Sequence, residues 1–262
     1  ILRDLVRDSP LPAEGFFCNL QRTTGKSTSR QTIESACRVL SGSFLPSEQP
    51  LIEFDGERYF LTTRFASAPN QEEFKCQVLE AVDFGISRNA SRYGEPYRDT
   101  NFVLYEKYTY EDVCSLLNWE KNANGQIISG YKYDKCTNTF PVFINYDKDP
   151  SISDTIRYED RFTSDREIIA ISKASRTLQS PEIKRLQAGP DNDMHSYLFI
   201  RKNKDDKDGG KEFYFLGEIA PTGNYRLFTM PGTSNSAVEI TYRLDQPVRA
   251  DLYDYLTSDF NQ

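Results

Sequence analysis

Residues 237–244 read Ala-Val-Glu-Ile-Thr-Tyr-Arg-Leu and show the clearest strand pattern in the chain. Apolar side chains stand at the even-numbered positions of this segment, and polar ones at the odd-numbered positions from 239 onward. Because successive side chains of an extended strand point to opposite faces, the alternation predicts a strand with one face on a core and the other in water.

Five further segments before it also have the composition of short strands. They lie at 140–146, 168–172, 196–202, 212–219 and 225–230, and Pro141 places the first at a strand start or a sheet edge. One clear helix interrupts them, with Ser180 as its cap and Pro181 at its first position, and a last helix is predicted at 250–256. Six short strands with few helices predict an α+β fold whose second domain is a twisted, partly closed β-barrel, since closure removes exposed sheet edges.

The first hundred residues predict a mixed helical and hairpin unit. Ser29 can cap a helix with apolar residues at 33, 36, 37 and 40. Asp55-Gly56 then joins strands 51–54 and 58–61 in a hairpin, because this dipeptide tolerates the positive φ of a tight turn. Asn70 caps a longer helix, and the Ser, Arg, Gly and Pro content of 87–96 is typical of a linker.

We therefore expect two domains, a small mixed α/β coupling domain at 1–100 and a barrel domain at 105–262. Length agrees with this division, because 262 residues with 38% hydrophobic content can bury two cores. The first domain has two alternative roles. It is a winged helix with basic residues facing DNA, or a spacer that packs against neighbouring parts of a longer protein. The basic residues in question are Arg22, Lys26, Arg30 and Arg38.

Composition indicates where the protein works. The sequence starts at Ile1 and has neither a signal-peptide core nor an apolar run of about 18 residues, so we expect a cytoplasmic piece of a longer protein without membrane contact. Its five cysteines are widely spaced, with no Cys-x-x-Cys pair, and His195 is the only histidine. This pattern predicts reduced thiols and no metal site.

The charge distribution argues against a general polyanion binder. The whole chain carries a formal charge of −7, whereas residues 161–211 hold 11 Lys or Arg against 8 Asp or Glu. Non-specific DNA affinity comes largely from cations that displace phosphate counterions. A basic face on an acidic body is the arrangement that would still allow DNA binding.

No catalytic or cofactor motif is complete. Thr24-Gly-Lys-Ser27 lacks the first glycine of a phosphate-binding loop, because Leu20 stands at that position. His195 precedes a strand and has no nucleophile elbow to serve. A nuclease centre on Glu159 and Asp160 is disfavoured, because adjacent residues of a strand point to opposite faces. We expect a binding module with no catalytic residues and no cofactor.

A polar and aromatic block in the second half of the chain is the strongest functional signal. Rings alternate there with carboxylates and cations, at spacings that no single amphipathic helix explains. Such a combination suits a pocket that stacks on a flat ligand and hydrogen-bonds its edge, and a nucleobase is a ligand of that kind. The block comprises Asn118-Trp-Glu-Lys-Asn122, Gly130-Tyr-Lys-Tyr-Asp-Lys135, Tyr158-Glu-Asp-Arg-Phe162 and Ser172-Lys-Ala-Ser-Arg176.

Several separated motifs within 105–245 occur in the order seen in one domain family. Besides the block, they are Asp112-Val-Cys114, Leu116-Leu-Asn-Trp-Glu120, Thr137-Asn-Thr139 and Phe213-Tyr-Phe-Leu-Gly-Glu218. This part of the chain resembles the C-terminal domain family of bacterial restriction-type helicases, as in ATP-dependent type IV restriction enzymes of the SauUSI kind.

The resemblance implies a fold similar to SRA and PUA barrels and a role in target recognition. A domain of this kind would find methylated or hydroxymethylated cytosine in duplex DNA by base flipping, and would license a motor and a nuclease located elsewhere. The implied partners are double-stranded DNA carrying modified cytosine and the helicase and nuclease domains of the same polypeptide. The parent protein would be an ATP-dependent restriction endonuclease.

A flipped pyrimidine needs aromatic walls and an acceptor for its exocyclic amine, because the pocket must offset the stacking lost on extrusion. The candidate base-binding residues are Tyr131, Tyr133, Asp134, Phe140, Tyr158, Glu159, Asp160 and Trp119. Several have structural alternatives. Phe140 follows the alternation of a core strand, while Tyr131 and Tyr133 share a face that either stacks on a base or covers the barrel. Asp134 suits a turn, and Trp119 is either a wedge in the duplex or a buried anchor.

Basic residues near the block are the candidate contacts to DNA phosphates, which fix register without reading sequence. They are Lys132, Arg161, Lys173, Arg176, Arg201 and Lys202, and their alternative role is that of surface cations at solvated strand ends. A rival function is an interaction or homodimerisation domain that couples motor to nuclease. It would use the aromatic residues Tyr253, Tyr255 and Phe260.

Overall fold

A computed structural model describes residues 1–13, 29–45, 50–68, 71–92, 94–123, 125–146, 160–189, 193–202 and 211–258. The chain divides into two compact units. Unit 1 combines Ile1–Pro96 with Cys114–Asn122, and unit 2 combines Tyr97–Val113 with Ala123–Gln262.

Unit 1 is a small α+β unit. Its helices are α1 (Leu2–Asp8), α2 (Arg30–Leu40), α3 (Thr63–Ala66) and α4 (Gln71–Arg92). Its strands are β1 (Leu11–Pro12), β2 (Ile52–Phe54) and β3 (Arg58–Leu61), which form an antiparallel sheet in the order β1-β3-β2. Helix α4 continues through residues 87–92, where composition predicted a linker.

Local sequence signals explain the main elements of unit 1. The Ser29 hydroxyl caps α2 by accepting from the Thr32 amide at 3.1 Å. Gly56 has φ of +104° in the β2–β3 turn, and Asp55 Oδ1 accepts from the next two amides at 2.8 and 2.7 Å. The predicted cap and hairpin are therefore confirmed, and they place Ile33 and Cys37 of α2 in the same core as Ile52.

The structure describes two of the four basic residues that were predicted to face DNA in a winged helix. Arg22 and Lys26 lie outside the described residues. Arg30 pairs with Glu34 along α2 at 2.8 Å. Arg38 donates to the Asn118 and Trp119 carbonyls at 3.4 and 3.5 Å, so it holds the 114–122 segment within unit 1.

Unit 2 is built on one large sheet. Its strands are β4 (Lys107–Tyr108), β5 (Thr139–Asn145), β6 (Arg161–Ser164), β7 (Glu167–Ile171), β8 (His195–Arg201), β9 (Phe213–Thr229) and β10 (Ser236–Leu244). Its helices are α6 (Gly125–Ile128), α7 (Pro181–Gln187) and α8 (Ala250–Thr257), and α5 (Tyr110–Leu116) crosses from unit 2 to unit 1. Four of the six predicted strands and both predicted helices agree with these elements within one or two residues.

The sheet follows the order β5-β8-β9-β10-β7-β6, with β4 added on β9. Strands β5 and β8 run parallel, and all other neighbours are antiparallel. The predicted partly closed barrel is not supported. Among the described residues β5 and β6 do not pair with each other, so the sheet stays open.

Strand β9 explains why the sheet differs from the predicted barrel. Segments 212–219 and 225–230, predicted as two strands, form one strand of 17 residues that pairs with β8 in its first part and with β10 in its second. Two β-bulges bend this strand at positions where a turn would have divided it. Gly217 has φ of +95° where the register with β8 shifts, and a Cβ there would lie 3.3 Å from Leu104 Cδ2. Gly223, with φ of +90°, lies at the second shift.

Both faces of the parallel β5–β8 pair are buried, as is usual for parallel strands. One face belongs to a core with β7, β9, β10, α7 and α8, which includes Phe140, Leu198, Ile240 and Tyr242. The other face carries an aromatic cluster made of Phe102, Tyr108, Phe143, Phe199, Phe213 and Phe215.

No helix in the described part of the chain combines the length and the apolar character needed to cross a membrane.

Candidate nucleic-acid interface

Two segments of unit 2 bring basic and aromatic side chains together. Segment 130–139 folds back on β5 through bridges from Tyr131 to Val142 and from Asp134 to Thr139. Segment 172–187 follows β7 and continues into α7. Together they carry six Lys or Arg and only two carboxylates. We call the following residues the tyrosine–cation cluster: Tyr131, Tyr133, Lys132, Lys173, Arg176, Glu182 and Arg185.

Tyr131 is the buried base of this cluster. Its side chain is 6% exposed, and its ring stacks on Phe140 with centroids 5.1 Å apart. The Lys173 amide donates to the Tyr131 hydroxyl at 3.4 Å, and burial raises the pKa of Tyr131 to about 12. The hydroxyl is therefore neutral and serves as an anchor for the segment that begins at Lys173.

Lys173 places a positive charge beside that ring. Its Nζ lies 5.2 Å from the Tyr131 ring centroid and donates to the Ile127 carbonyl at 3.0 Å. Partial burial lowers the pKa of Lys173, and the nearby charges of Arg176 and Lys132 lower it further against the opposing effect of Glu182. A bound anion would act against these effects, so this position favours negative ligands.

Two arginines complete the cluster from opposite ends of the 172–187 segment. Arg176 pairs with Glu182, which raises the pKa of the arginine. The Arg185 guanidinium lies 3.9 Å from the Tyr133 ring centroid, and the Tyr133 hydroxyl donates to Asn138 Oδ1 at 2.9 Å. The Arg185 guanidinium therefore lies against the Tyr133 ring, and arginine is a side chain suited both to stacking on aromatic rings and to phosphate contacts.

The structure does not support several of the predicted pocket residues. Tyr131 and Phe140 are sealed in the core, because they stack on each other and Phe140 has no exposed surface. The Asp134 carboxylate accepts from the amide and the hydroxyl of Thr137, both at 2.9 Å, so it stabilises a turn and not the amine of a base. Only Tyr133 of these residues keeps a partly exposed ring.

The remaining predicted pocket residues lie elsewhere. Trp119 is 2% exposed within unit 1, as a buried anchor outside the cluster. Asp160 accepts from the Ile171 amide at 2.7 Å and so extends the edge of β7. Tyr158 and Glu159 lie outside the described residues.

Three predicted phosphate contacts belong to the cluster, and three do not. Lys132, Lys173 and Arg176 are the members. Arg161 lies near Glu239 at 3.4 Å and shares this carboxylate with Arg226 at 2.6 Å. These two arginines offset the charge of a glutamate that β10 would otherwise bury alone.

Arg201 and Lys202 have structural partners. The Arg201 Nε donates to Asn145 Oδ1 at 2.5 Å, and its guanidinium lies over Phe213 at 4.3 Å. Lys202 is 1% exposed, and its ammonium group donates to the Tyr255 and Ser258 carbonyls. The charge of Lys202, a predicted phosphate contact, is therefore enclosed at the end of α8.

The residues that the sequence reading missed are Arg185 and Glu182. They are three residues apart on α7, a spacing that places both on one side of a helix. That spacing is visible in the sequence, but the Tyr133 ring that Arg185 meets comes from the separate segment 130–139.

Two of the aromatic residues expected for a dimerisation surface, Tyr253 and Tyr255, are partly buried. Tyr253 and Tyr255 pack against the core of unit 2, with Tyr253 5.3 Å from Phe162 and Tyr255 6.2 Å from Tyr214. Phe260 lies outside the described residues. In the described part of the chain no group of three or more His, Cys, Asp or Glu side chains is arranged to hold a metal ion.

Comparison with protein families gives one match. The profile of a family described as "Domain of unknown function (DUF3427)" matches residues 102–256, more than half of the chain. The chain belongs to the DUF3427 family. The match includes the tyrosine–cation cluster and every strand of unit 2, so the DUF3427 domain is the part that carries the candidate site.

Two solved structures show a distant similarity to parts of this chain. Both are crystal structures of KRYPTONITE, one "in complex with mCHG DNA and SAH" and one "in complex with mCHH DNA, H3(1-15) peptide and SAH". Their identities to this chain are 9%, with TM-scores of 0.37 and 0.39. They cover 66% and 88% of this chain, which spans 39% and 45% of theirs. At these values the similarity carries no conclusion about function. Comparison with curated proteins finds no match.

Proposed function

We propose that the DUF3427 domain binds duplex DNA as a recognition module without catalysis of its own, and that the tyrosine–cation cluster contacts the phosphate backbone. The observation that carries the proposal is the charge of this surface. Four cations surround two tyrosines, and the carboxylates of the same segments, Asp134 and Glu182, are engaged in a turn and in an ion pair.

The side chains of the cluster suit phosphodiesters better than an isolated carboxylate ligand. Cations contributed by a turn, a loop and a helix are spread along a surface, as contacts to successive phosphates require. Lys173 gains most from such a ligand, because burial and neighbouring cations lower its pKa in the free protein. A phosphate beside it would restore the charged form.

Modified cytosine is the target that we propose for this module. The resemblance to restriction-type helicases supports it, as does the combination of rings and hydrogen-bonding groups next to a basic surface. In the parent protein the module would act with helicase and nuclease domains of the same polypeptide in the cytoplasm. Base extrusion is the mechanism that lets a protein read a cytosine modification from all sides.

A titration of the full chain with fluorescent duplexes tests the proposal. One duplex carries 5-methylcytosine, and its twin of the same sequence does not. Both are measured at one stated salt concentration, because phosphate contacts depend strongly on salt. We expect binding of both duplexes and tighter binding of the methylated one. The double variant Lys173→Gln/Arg176→Gln should weaken binding to both, since phosphate contacts do not read sequence.

A matched control is Arg243→Gln, which removes an exposed cation on β10 outside the cluster. It should leave both affinities within about twofold of the wild type. Failure of the wild-type chain to bind either duplex would end the proposal. Equal affinity for both duplexes would rule out modified cytosine as the target and would leave the proposal of DNA binding in place.

A further inference from the structure

Tyr225 on β9 has a polar group without a partner. Its hydroxyl oxygen is shielded from solvent and has no hydrogen-bond partner among the residues that the structure describes. Burial alone raises the pKa of Tyr225 to about 12, so the group is a neutral hydroxyl that can donate and accept. Buried polar groups without a partner are rare in folded proteins, and a binding site awaiting its ligand is one reason for them.

Tyr225 lies next to the tyrosine–cation cluster. It pairs with Ile240 across β9 and β10, so its ring shares the core-facing side of the sheet with Tyr242. The hydroxyls of Tyr225 and Tyr131 both add to the raised pKa of fully buried Tyr242, although burial is the larger cause. Tyr131 is the base of the cluster. Ile240 in turn pairs with Ala170 of β7, three residues before Lys173 of the cluster, so the geometry of the sheet places Tyr225 near the basic loop.

Leu227 provides the access to this position. It lies two residues after Tyr225 on the same face of β9 and pairs with Val238, which is buried in the core. Leu227 itself is 48% exposed. The core-facing side of the sheet is therefore exposed to solvent at Leu227, two residues along β9 from Tyr225.

A cationic loop is attached to the strands beside this exposed position. Arg226 belongs to the opposite face of β9, where it pairs with Glu239 at 2.6 Å. The loop that carries Lys173 and Arg176 is bound to the start of β10 by the Ser172 amide donating to Val238 and the Arg176 amide donating to Ser236, at 2.8 and 3.2 Å. An apolar side chain and an unsatisfied hydroxyl therefore lie beside the strands to which the cationic loop is attached.

We propose that Tyr225 and Leu227 form the subsite for the target nucleobase, in which the Tyr225 hydroxyl bonds the edge of the base and Leu227 covers its apolar part. The inference rests on the proposed DNA-binding function and names the residues that read the base. It places the subsite at a position that combines an exposed apolar side chain, Leu227, with a shielded hydroxyl in need of a partner, Tyr225.

Tyr225→Phe tests the inference, because it removes one oxygen atom and nothing else. Since that hydroxyl has no partner in the free protein, the variant should unfold at the wild-type temperature or above it. Its affinity for the methylated duplex should fall about tenfold, the effect of one lost hydrogen bond in a shielded site, while affinity for the unmethylated twin stays unchanged. Leu227→Ala should have the same selective effect on binding.

Tyr105→Phe is the matched control, since the Tyr105 hydroxyl donates to the Pro247 carbonyl at 3.2 Å in the same unit. It should lower the unfolding temperature and leave both affinities unchanged. Unchanged affinity of Tyr225→Phe for both duplexes would overturn the subsite, as would a loss of stability equal to that of the control. The proposed function has its own separate test, because it fails only if the wild type does not bind DNA or the cluster variants bind normally.

Discussion

Replacing Lys202 by methionine should loosen the end of α8 without weakening DNA binding. The Lys202 ammonium donates to the Tyr255 carbonyl at 3.0 Å, the Ser258 carbonyl at 2.6 Å and the Ser258 hydroxyl at 3.1 Å. All three acceptors belong to the C-terminal turn of α8, where a helix leaves carbonyl oxygens without backbone donors. Methionine keeps an unbranched stem but removes the donor and the charge.

Two opposing effects determine the size of the loss. Hydrogen bonds to a charged group contribute about 1.5–3 kcal/mol each, so three of them contribute ~4–9 kcal/mol. Removing the ammonium also removes the cost of keeping a charge away from water, which is several kcal/mol per ion. We expect a net destabilisation of about 2–4 kcal/mol, or roughly 4–16 °C in the Tm of a unit of this size.

Thermal unfolding followed by circular dichroism measures this loss, and a duplex titration well below the midpoint measures binding. Lys173→Met is the matched control. Lys173 is only partly buried, and its ammonium donates to one carbonyl, that of Ile127. The control should change stability by less than about 1 kcal/mol and should weaken DNA binding.

The opposite pair of results would refute this reasoning. If Lys202→Met unfolds at the wild-type temperature and binds DNA about tenfold more weakly, Lys202 is a phosphate contact, as its sequence position alone suggests.

Two further substitutions test the sheet of unit 2 by urea unfolding. Gly217→Ala should lower the free energy of unfolding by about 1–2 kcal/mol, since the alanine would adopt φ of +95° with its Cβ close to Leu104. The control Gly85→Ala, in the open surroundings of α4, should stabilise the protein slightly. Equal effects of the two substitutions would contradict the bulge. Burial acts to raise the pKa of Glu239, but Arg226 and Arg161 lower it overall. A depressed carboxyl pKa stabilises the fold above its unfolded value, so this contribution is present at neutral pH and lost as the pH falls between about 5 and 3. Glu239→Gln should reduce stability by about 1–2 kcal/mol at pH 7 and by less at pH 3, and the same loss at both would contradict the ion pair.

Local signals predicted most elements of the chain. The alternation in 237–244 became β10 (Ser236–Leu244), and Ser180-Pro181 marks the start of α7. These features depend on neighbouring residues, so they can be seen in a single sequence. The pairing of strands cannot, because the parallel contact of β5 with β8 joins segments about 55 residues apart.

The barrel was predicted from the number of short strands, two of which form a single strand in the structure. Thr222-Gly-Asn224 has the composition of a turn, yet its glycine forms a bulge that lets β9 continue. A turn would have made two strands and favoured closure of the sheet. A bulge bends one strand and leaves the edges at β5 and β6 open.

The residues of the candidate site also divide into those that the sequence alone predicts and those that depend on contacts between distant segments. Tyr133, Lys132, Lys173 and Arg176 were found from composition, because cations and rings are clustered in the sequence. The burial of Tyr131 was not, since it depends on the ring of Phe140 across a bridge. Tyr225 gave no signal at all, because its pairing with Ile240 of β10, which turns it toward the core, is not visible in the sequence.

The salt dependence of duplex binding tests the central claim most directly. Each phosphate contact contributes about 0.9 to the slope of log K against log[salt]. The wild type, with four cations in the cluster, should show a slope of up to about −3.6, and Lys173→Gln/Arg176→Gln should reduce its magnitude by about 1.8. A double variant whose slope equals that of the wild type would show that DNA contacts another surface.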